Sequence, residues 1–338
     1  MDYKTSGVDI EAGERAVQNI KNTVQKTFNE NVLAELGSFG GMYRLDLKKW
    51  REPIMVSSTD GVGTKIIVAQ LAQKYDTIGQ DLVNHCVNDI FVHGAHPQFF
   101  NDYIGLGKMD STIITTLISG MAKACLENEM SLIGGEMAEM PCIYREQDFD
   151  LVGTIVGLVE QGRLITGSNI QERDVVIGLY STGLHTNGYS LARKIIFEQL
   201  KLTIDSYIPE IGDTVGNSLL RIHKSYYPEL KQFAVPEIIH GMAHITGGGL
   251  VGNIQRILPE GLSATINCRA WECPTLFQWL VDKGKVPLLD AYSAFNMGLG
   301  MVIITPDREA DTILTKISGV RIGIIQKQKN NKSVFLNF

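Results

Sequence analysis

Two hydrophobic periods alternate along this chain, and that alternation restricts it to folds that layer helices on sheets. Residues 12–28 carry apolar side chains at 12, 16, 17, 20, 24 and 28, the spacing of one helix face. A glycine-rich loop at 37–41 follows, and Pro53-Ile-Met-Val-Ser57 then reads as a short strand. Residues 77–94 return to helical spacing, 97–106 to a strand, 111–128 to a helix, and 131–136 to a buried strand ending in a glycine turn. Residues 151–160 are again rich in β-formers. A second round opens after residues 167–174. It has strands at 175–180, 262–267, 300–305 and 320–326, and helices at 189–200, 215–233 and 274–283. Such a series predicts an α/β (α+β layered) fold. At 338 residues the chain suits two domains, and we expect them at 1–168 and 169–338.

Composition narrows the function. The formal net charge is −6, which argues against nucleic acid as the main partner, because phosphate binding needs clustered Lys and Arg. Lys327, Lys329 and Lys332 read as a solvated polar end. No run approaches the roughly 18 apolar residues of a membrane span, and the first 15 residues hold no apolar signal core. The five cysteines are scattered without CxxC spacing, as expected of reduced thiols in the cytoplasm.

The usual phosphate loops are missing. Gly107-Lys108 is followed by Met109, and Asp60-Gly-Val-Gly-Thr-Lys65 has its Lys and Thr in the wrong order for a P-loop. Gly247-Gly-Gly249-Leu-Val-Gly252 matches GxGxxG but follows no long apolar strand, so a Rossmann unit is not expected. A glycine run that opens an apolar helix still offers bare N–H groups to an anion. The competing reading of the same run is a tight turn.

Carboxylates gather at strand ends. Asp60 stands where a strand stops, with Gly61 and Gly63 behind it, and Glu136 follows Gly134-Gly135 in the same way. Hard oxygen ligands beside backbone that a ligand can approach closely suit Mg²⁺ on phosphate. In the helix at 77–94, Asp81, His85, Asn88 and Asp89 lie off the broad apolar arc, with Asp89 at its edge. A carboxylate there is partly desolvated, and a salt-bridge partner would explain it as well as a cation. His85, His93 and His96 lack HExxH spacing, so no histidine metal site is expected. Residues 181–190 set hydroxyls, His185 and Asn187 between a strand and a helix, where open α/β sheets bind ligands.

In this order the segments Tyr3–Gly13, Thr59–Lys65, Asp81–Asp89, Gly134–Pro141, Ser181–Lys194, His244–Gly249 and Phe295–Met301 closely resemble the aminoimidazole ribonucleotide synthetases, or phosphoribosylformylglycinamidine cyclo-ligases. That family shares an ATP-binding superfamily with formylglycinamidine synthetase, thiamine-phosphate kinase and selenophosphate synthetase. The chain departs from the family's usual residues at Asn101, Met137, Cys142, Thr182 and Thr186. Met137 removes a hydroxyl beside Glu136.

The resemblance implies ATP-dependent ring closure, with Asp60, Asp89 and Glu136 holding Mg²⁺ on ATP. It implies Lys21, Gly61, Gly63 and Thr64 at the nucleotide, Lys65 against phosphate charge and His185 beside the reacting amide. It also implies Asn187 and Thr246, Gly247, Gly248 and Gly249 on the ribotide. It further implies an N-terminal sheet that pairs with a second copy in a barrel, hence a homodimer. A kinase like thiamine-phosphate kinase is the competing enzyme, and a non-catalytic binding subunit is the competing non-enzyme.

Overall fold

The computed structural model describes residues 10–328 and 331–338; the motif residues from Tyr3 to Asp9, and Lys329, lie outside the described residues. The chain divides into two compact units, one running to Ile90 and resuming at His96–Glu160, the other made of Phe91–Ala95 and Gln161–Phe338.

The first unit runs α1 (Ile10–Gln25), β1 (Pro53–Gly61), α2 (Lys65–Ala72), α3 (Ile78–Phe91), β2 (His96–Leu106), α4 (Ser111–Glu127), β3 (Ser131–Glu139) and β4 (Phe149–Glu160). Its sheet has the order β1-β4-β2-β3. β4 lies antiparallel between β1 and β2, while β2 and β3 run parallel, joined by the crossover helix α4. Among the described residues, both edges, β1 and β3, are therefore unpaired within one copy. Leu151, Gly153 and Ile155 of β4 and Phe100, Asp102 and Ile104 of β2 are buried, and the residues between them are half-exposed. That period of two puts the helices on one face of the sheet. α4 starts on Asp110, whose Oδ1 accepts from the amides of Thr112 and Ile113. α3 is buried on every side except at Asp89, so its polar stripe of Asp81, His85 and Asn88 lies inside the protein rather than in water.

The second unit holds β5 (Val175–Tyr180), then α5 (Tyr189–Arg193) continuing into a π-helical segment (Lys194–Gln199), and the small pair β6 (Tyr207–Ile208) and β7 (Asp213–Thr214). Then come α6 (Val215–Leu219), α7 (Tyr227–Leu230), β8 (Gly241–His244), α8 (Gly249–Ile254), β9 (Leu262–Asn267), α9 (Thr275–Gly284) and α10 (Leu288–Ala294). β10 (Leu299–Thr305), α11 (Asp307–Leu314), β11 (Gly319–Lys327) and β12 (Val334–Asn337) complete the unit. Its six-stranded sheet has the order β12-β9-β11-β5-β10-β8, and β12 is parallel to β9. β5 and β10 lie inside it, and their continuous Val/Ile/Leu runs are buried.

One sequence expectation fails here. The single helix expected at 215–233 is two short ones, α6 and the one-turn α7, with an irregular run from Arg221 to Tyr226 between them. Pro228 explains the break: it has no N–H to give a preceding turn and sits instead at the start of α7. Among the described residues no helix is long and apolar enough to cross a membrane.

Candidate functional site

In the first unit, Asp60 ends β1, and its Oδ2 lies 2.8 Å from His85 Nε2 on α3. Asp89, one helical turn after His85, lies 3.6 Å from the same nitrogen. Ser58 Oγ donates to Asp89 Oδ2 at 3.1 Å. Residues 85 and 89 share a helix face because they are four apart, and Ser58 and Asp60 share a strand face because they are two apart. Helix and strand thus present two carboxylates, a hydroxyl and an imidazole to one point. The histidine is buried, while the side chains of Asp60 and Asp89 stay 48% and 25% exposed, so the acids can still be reached from solvent. Burial pulls the His85 pKa down, but the hydrogen bond to Asp60 and the charges of Asp89, Asp60 and Asp81 outweigh it and the net shift is upward.

The cluster fits a hard divalent cation. It offers carboxylate and hydroxyl oxygens, and His85 orients Asp60 from behind. Gly63, at φ 57°, turns the chain from β1 into α2, a conformation that costs glycine little. Gly61 and Thr64 flank that turn.

Lys65 is placed differently. It is fully buried, with Nζ 2.8 Å from Asp81 Oδ2, a partner that is also fully buried. Burial lowers its pKa, against the raising effect of Asp81. The pair ties α2 to α3, one turn before His85.

Glu136 stands apart from the acid pair. Its register partner is Tyr103, which pairs with Val152, which pairs with Gly61. Three strand spacings separate the two edges, about 14 Å. Within one copy, therefore, Asp60 and Asp89 come together and Glu136 does not join them.

Glu136 lines a separate cavity of about 490 Å³ at the β3 edge. Its walls are Val17, Ile20 and Val24 of α1, Ile118 of α4, and Leu132 and Ile133 of β3; the loop at 37–41 closes one side. Asn101 and Asp102 of β2 supply further polar groups. Lys21, on α1, pairs with Glu35 Oε2 at 3.4 Å.

In the second unit the loop after β5 is held from beneath. His185 is buried at φ 63°, and its Nε2 accepts from the Thr182 amide at 3.2 Å. Its ring stacks on His223 at 4.0 Å, and His223 Nε2 lies 3.1 Å from His244 Nε2. Gly300 permits the approach: a Cβ there would come within 2.2 Å of Tyr226 Oη and 2.4 Å of His185 Cε1. Asn187 lies beside Gly247, and its buried Nδ2 has no hydrogen-bond partner among the described residues.

The glycine run is ordered by Asn253, whose Nδ2 donates to the carbonyls of Gly249 at 2.9 Å and of Thr246 and Gly247 at 3.3 Å. The Gly249 amide is spent on the Thr246 carbonyl, so Gly247 and Gly248 keep the amides that an anion can use.

Ser58, Asp102, His223, His244 and Asn253 were not singled out from the sequence. Asp102 did leave a signal. It interrupts the buried row Phe100, Asp102, Ile104 at a position where strand periodicity calls for an apolar side chain.

These two units define a class of protein. The model of the AIR synthase related N-terminal domain matches residues 46–159, and that of the corresponding C-terminal domain matches residues 171–334. Solved structures share the fold. A thiamine-monophosphate kinase from Stenotrophomonas maltophilia K279a superposes with a TM-score of 0.71 at 15% identity, over 94% of this chain and 96% of that one. The hydrogenase maturation protein HypE in complex with ATP gives 0.66 at 17%, over 98% and 93%. At such identities the likeness is one of fold. Sequence relatives are much nearer. The phosphoribosylformylglycinamidine cyclo-ligase of Alkaliphilus oremlandii is 46% identical over 91% of both chains. That of Bifidobacterium animalis subsp. lactis is 44% identical over 98% of both. The chain belongs to the phosphoribosylformylglycinamidine cyclo-ligase family.

Proposed function

We propose that this chain converts formylglycinamidine ribonucleotide and ATP into 5-aminoimidazole ribonucleotide, ADP and phosphate, a ligase step of purine synthesis in the cytoplasm. The observation that carries this reading is 46% identity, over 91% of each chain, to a relative bearing that activity in its name.

The chemistry asks for what the chain offers. A formamide oxygen leaves poorly. Moving the γ-phosphoryl group from ATP onto that oxygen gives an iminophosphate and releases ADP. An amidine nitrogen of the same molecule then attacks the formyl carbon, the C–O bond breaks, and inorganic phosphate carries the oxygen away while the nitrogen loses its proton. Closure is intramolecular and so is favoured by proximity. Phosphoryl transfer depends on alignment and charge neutralisation.

Asp60 and Asp89 are the groups we assign to Mg²⁺, which when bound would draw charge from the triphosphate. Ser58 and His85 hold the two acids in place. Lys65 fixes α2 against α3 through Asp81. Gly61, Gly63 and Thr64 shape the turn at the phosphates. Asn187, with its unsatisfied amide, and Thr246, Gly247 and Gly248 take the ribotide, while Gly249 and His185 shape their loops. Lys21 and Glu136 belong to the nucleotide site at the other edge. In this reading residues 1–168 bind ATP and dimerise, and residues 169–338 complete the site.

A homodimer reconciles the separated acids. Among the described residues β1 and β3 are the edge strands of the sheet, and a second copy that closes it into a barrel supplies new edge partners. Edge pairing is the way by which Asp60 and Asp89 of one copy reach the Glu136 edge of another.

The test is turnover with ATP, Mg²⁺ and formylglycinamidine ribonucleotide. Asp89→Ala should cut kcat by about a thousandfold or more, the scale of losing an electrostatic group from the reacting centre, with an unchanged circular dichroism spectrum. Near-normal turnover in that variant would remove Asp89 from the mechanism.

A further inference from the structure

Residues 295–301 hold one of the sequence motifs, yet none of them has a task in the reaction above. They lead from α10 into β10. Asn296 among them is 4% exposed, and both ends of its side-chain amide are engaged with protein. Its Oδ1 accepts from Ser181 Oγ at 3.1 Å and from the Gly298 amide at 2.9 Å, and its Nδ2 donates to the Gly183 carbonyl at 2.8 Å. The Ser181 amide donates back to the Gly298 carbonyl at 2.8 Å. The turn is itself anchored, because Trp271 Nε1 donates to the Met297 carbonyl at 3.0 Å. One buried side chain thus pins the start of the 181–190 loop to a fixed turn.

The same stretch of chain backs both loops assigned to the ribotide. A Cβ at Gly188, next to Asn187, would sit 2.8 Å from the Ala294 carbonyl oxygen and 2.5 Å from Phe295 Cδ1. A Cβ at Gly249 would overlap the Tyr292 carbonyl oxygen. These are contacts with backbone, which cannot swing aside as the tip of a side chain can, so a shift in this stretch is passed to the loops. We propose that Asn296 is a positioning residue for the ribotide: it sets the register of the 181–190 loop against the 246–249 glycine loop, and so holds Asn187 and His185 in place relative to Gly247 and Gly248. This rests on the reading of the two loops as the ribotide site and adds the residue that keeps them in step.

The three bonds call for asparagine. The Gly298 amide can only donate and the Gly183 carbonyl can only accept, so the two ends of the side chain must differ, oxygen toward one and nitrogen toward the other. Aspartate keeps the two accepted bonds but sets an oxygen against the Gly183 carbonyl, which pushes that residue away. Alanine keeps none of the three, and leaves a buried carbonyl and a buried amide to find new partners. Ser181→Ala removes one accepted bond and leaves the tie to Gly183 intact. The three variants therefore loosen the loop to different degrees, and their order is fixed by the geometry.

The test is steady-state turnover by the full chain with Mg²⁺, varying ATP and formylglycinamidine ribonucleotide in turn. Asn296→Ala should raise KM for the ribotide by about tenfold or more, the scale of one or two hydrogen bonds put out of place. KM for ATP should not move. Asn296→Asp should raise the ribotide KM less than Asn296→Ala does, and Ser181→Ala least, by about two- to threefold. A residue that served stability alone would lower the folded fraction, and so kcat per chain, with both KM values unchanged. If Asn296→Ala fails to fold, Asn296→Asp and Ser181→Ala are read in the same way. Asn187→Ala supplies the control. If it raises the ribotide KM while the Asn296 and Ser181 variants do not, the positioning role is wrong and the ribotide reading stands. If Asn187→Ala also leaves that KM unchanged, the loops have been misassigned and this proposal falls with them.

Discussion

Asp102 shows how burial of a single residue makes stability depend on pH. Its pKa is pushed up to about 7 in the folded chain, from an ordinary value near 3.8. Between those values the unfolded chain has released a proton that the folded chain keeps. Stability is therefore highest at acid pH and falls as pH rises from about 4 to about 7. At about 1.4 kcal/mol per pH unit the loss is roughly 4 kcal/mol by pH 8. Asp102→Asn, which cannot ionise, should unfold at higher denaturant than the parent at pH 8, and the gap should shrink toward pH 4. A variant equally destabilised at both pH values would mean that the carboxyl is paired after all. The acid pair is the opposite case: Asp60 and Asp89 keep partners and solvent access. Asp60 and Asp89 were legible in the sequence because a carboxylate at a strand end and another at the edge of an apolar helix arc are each unusual. The Lys65–Asp81 pair was not, because residues 16 apart meet only once α2 and α3 pack.

At the scale of elements, the approach of α3 to the sheet decides whether the acid cluster forms. Gly153 of β4 lies in register between Asp60 of β1 and Asp102 of β2. A Cβ at Gly153 would sit 2.2 Å from Phe100 Cζ and 3.1 Å from Leu82 Cγ of α3. Gly153→Ala should therefore push α3 outward, costing about 1–3 kcal/mol of stability by overpacking and drawing His85 from Asp60. Chemical denaturation checks the first effect. The second should appear as a lower kcat at unchanged KM for the ribotide. The periodicity of these elements was readable, but the insertion of β4 between β1 and β2 was not, and that order alone sets Glu136 far from Asp60. Likewise the 215–233 stretch shows helical periodicity throughout, and one residue, Pro228, overrides it.

At the scale of the molecule, acids on opposite edges of one sheet make a prediction about the assembly. If a second copy completes each site, Asp89→Ala and Glu136→Ala chains are each inactive alone but complementary. Unfolded together and refolded as a mixture, they should recover about a quarter of parental activity, because about half of the dimers are mixed and each of these carries one intact site. Recovery no greater than that of either variant alone would confine the site to one copy. The two-layer fold and the sequence kinship rest on features spread over the whole chain, and so could be read from sequence alone. The assembly depends on edges that only the folded sheet exposes.

The most direct measurement follows the product itself. Purified chain, ATP, Mg²⁺ and formylglycinamidine ribonucleotide should yield aminoimidazole ribonucleotide with one ADP and one phosphate per ring closed. With ribotide labelled by ¹⁸O in the formyl group, the label should appear in the released phosphate. Ring closure without label in phosphate, or a stable phosphorylated product with no ring, would contradict the account.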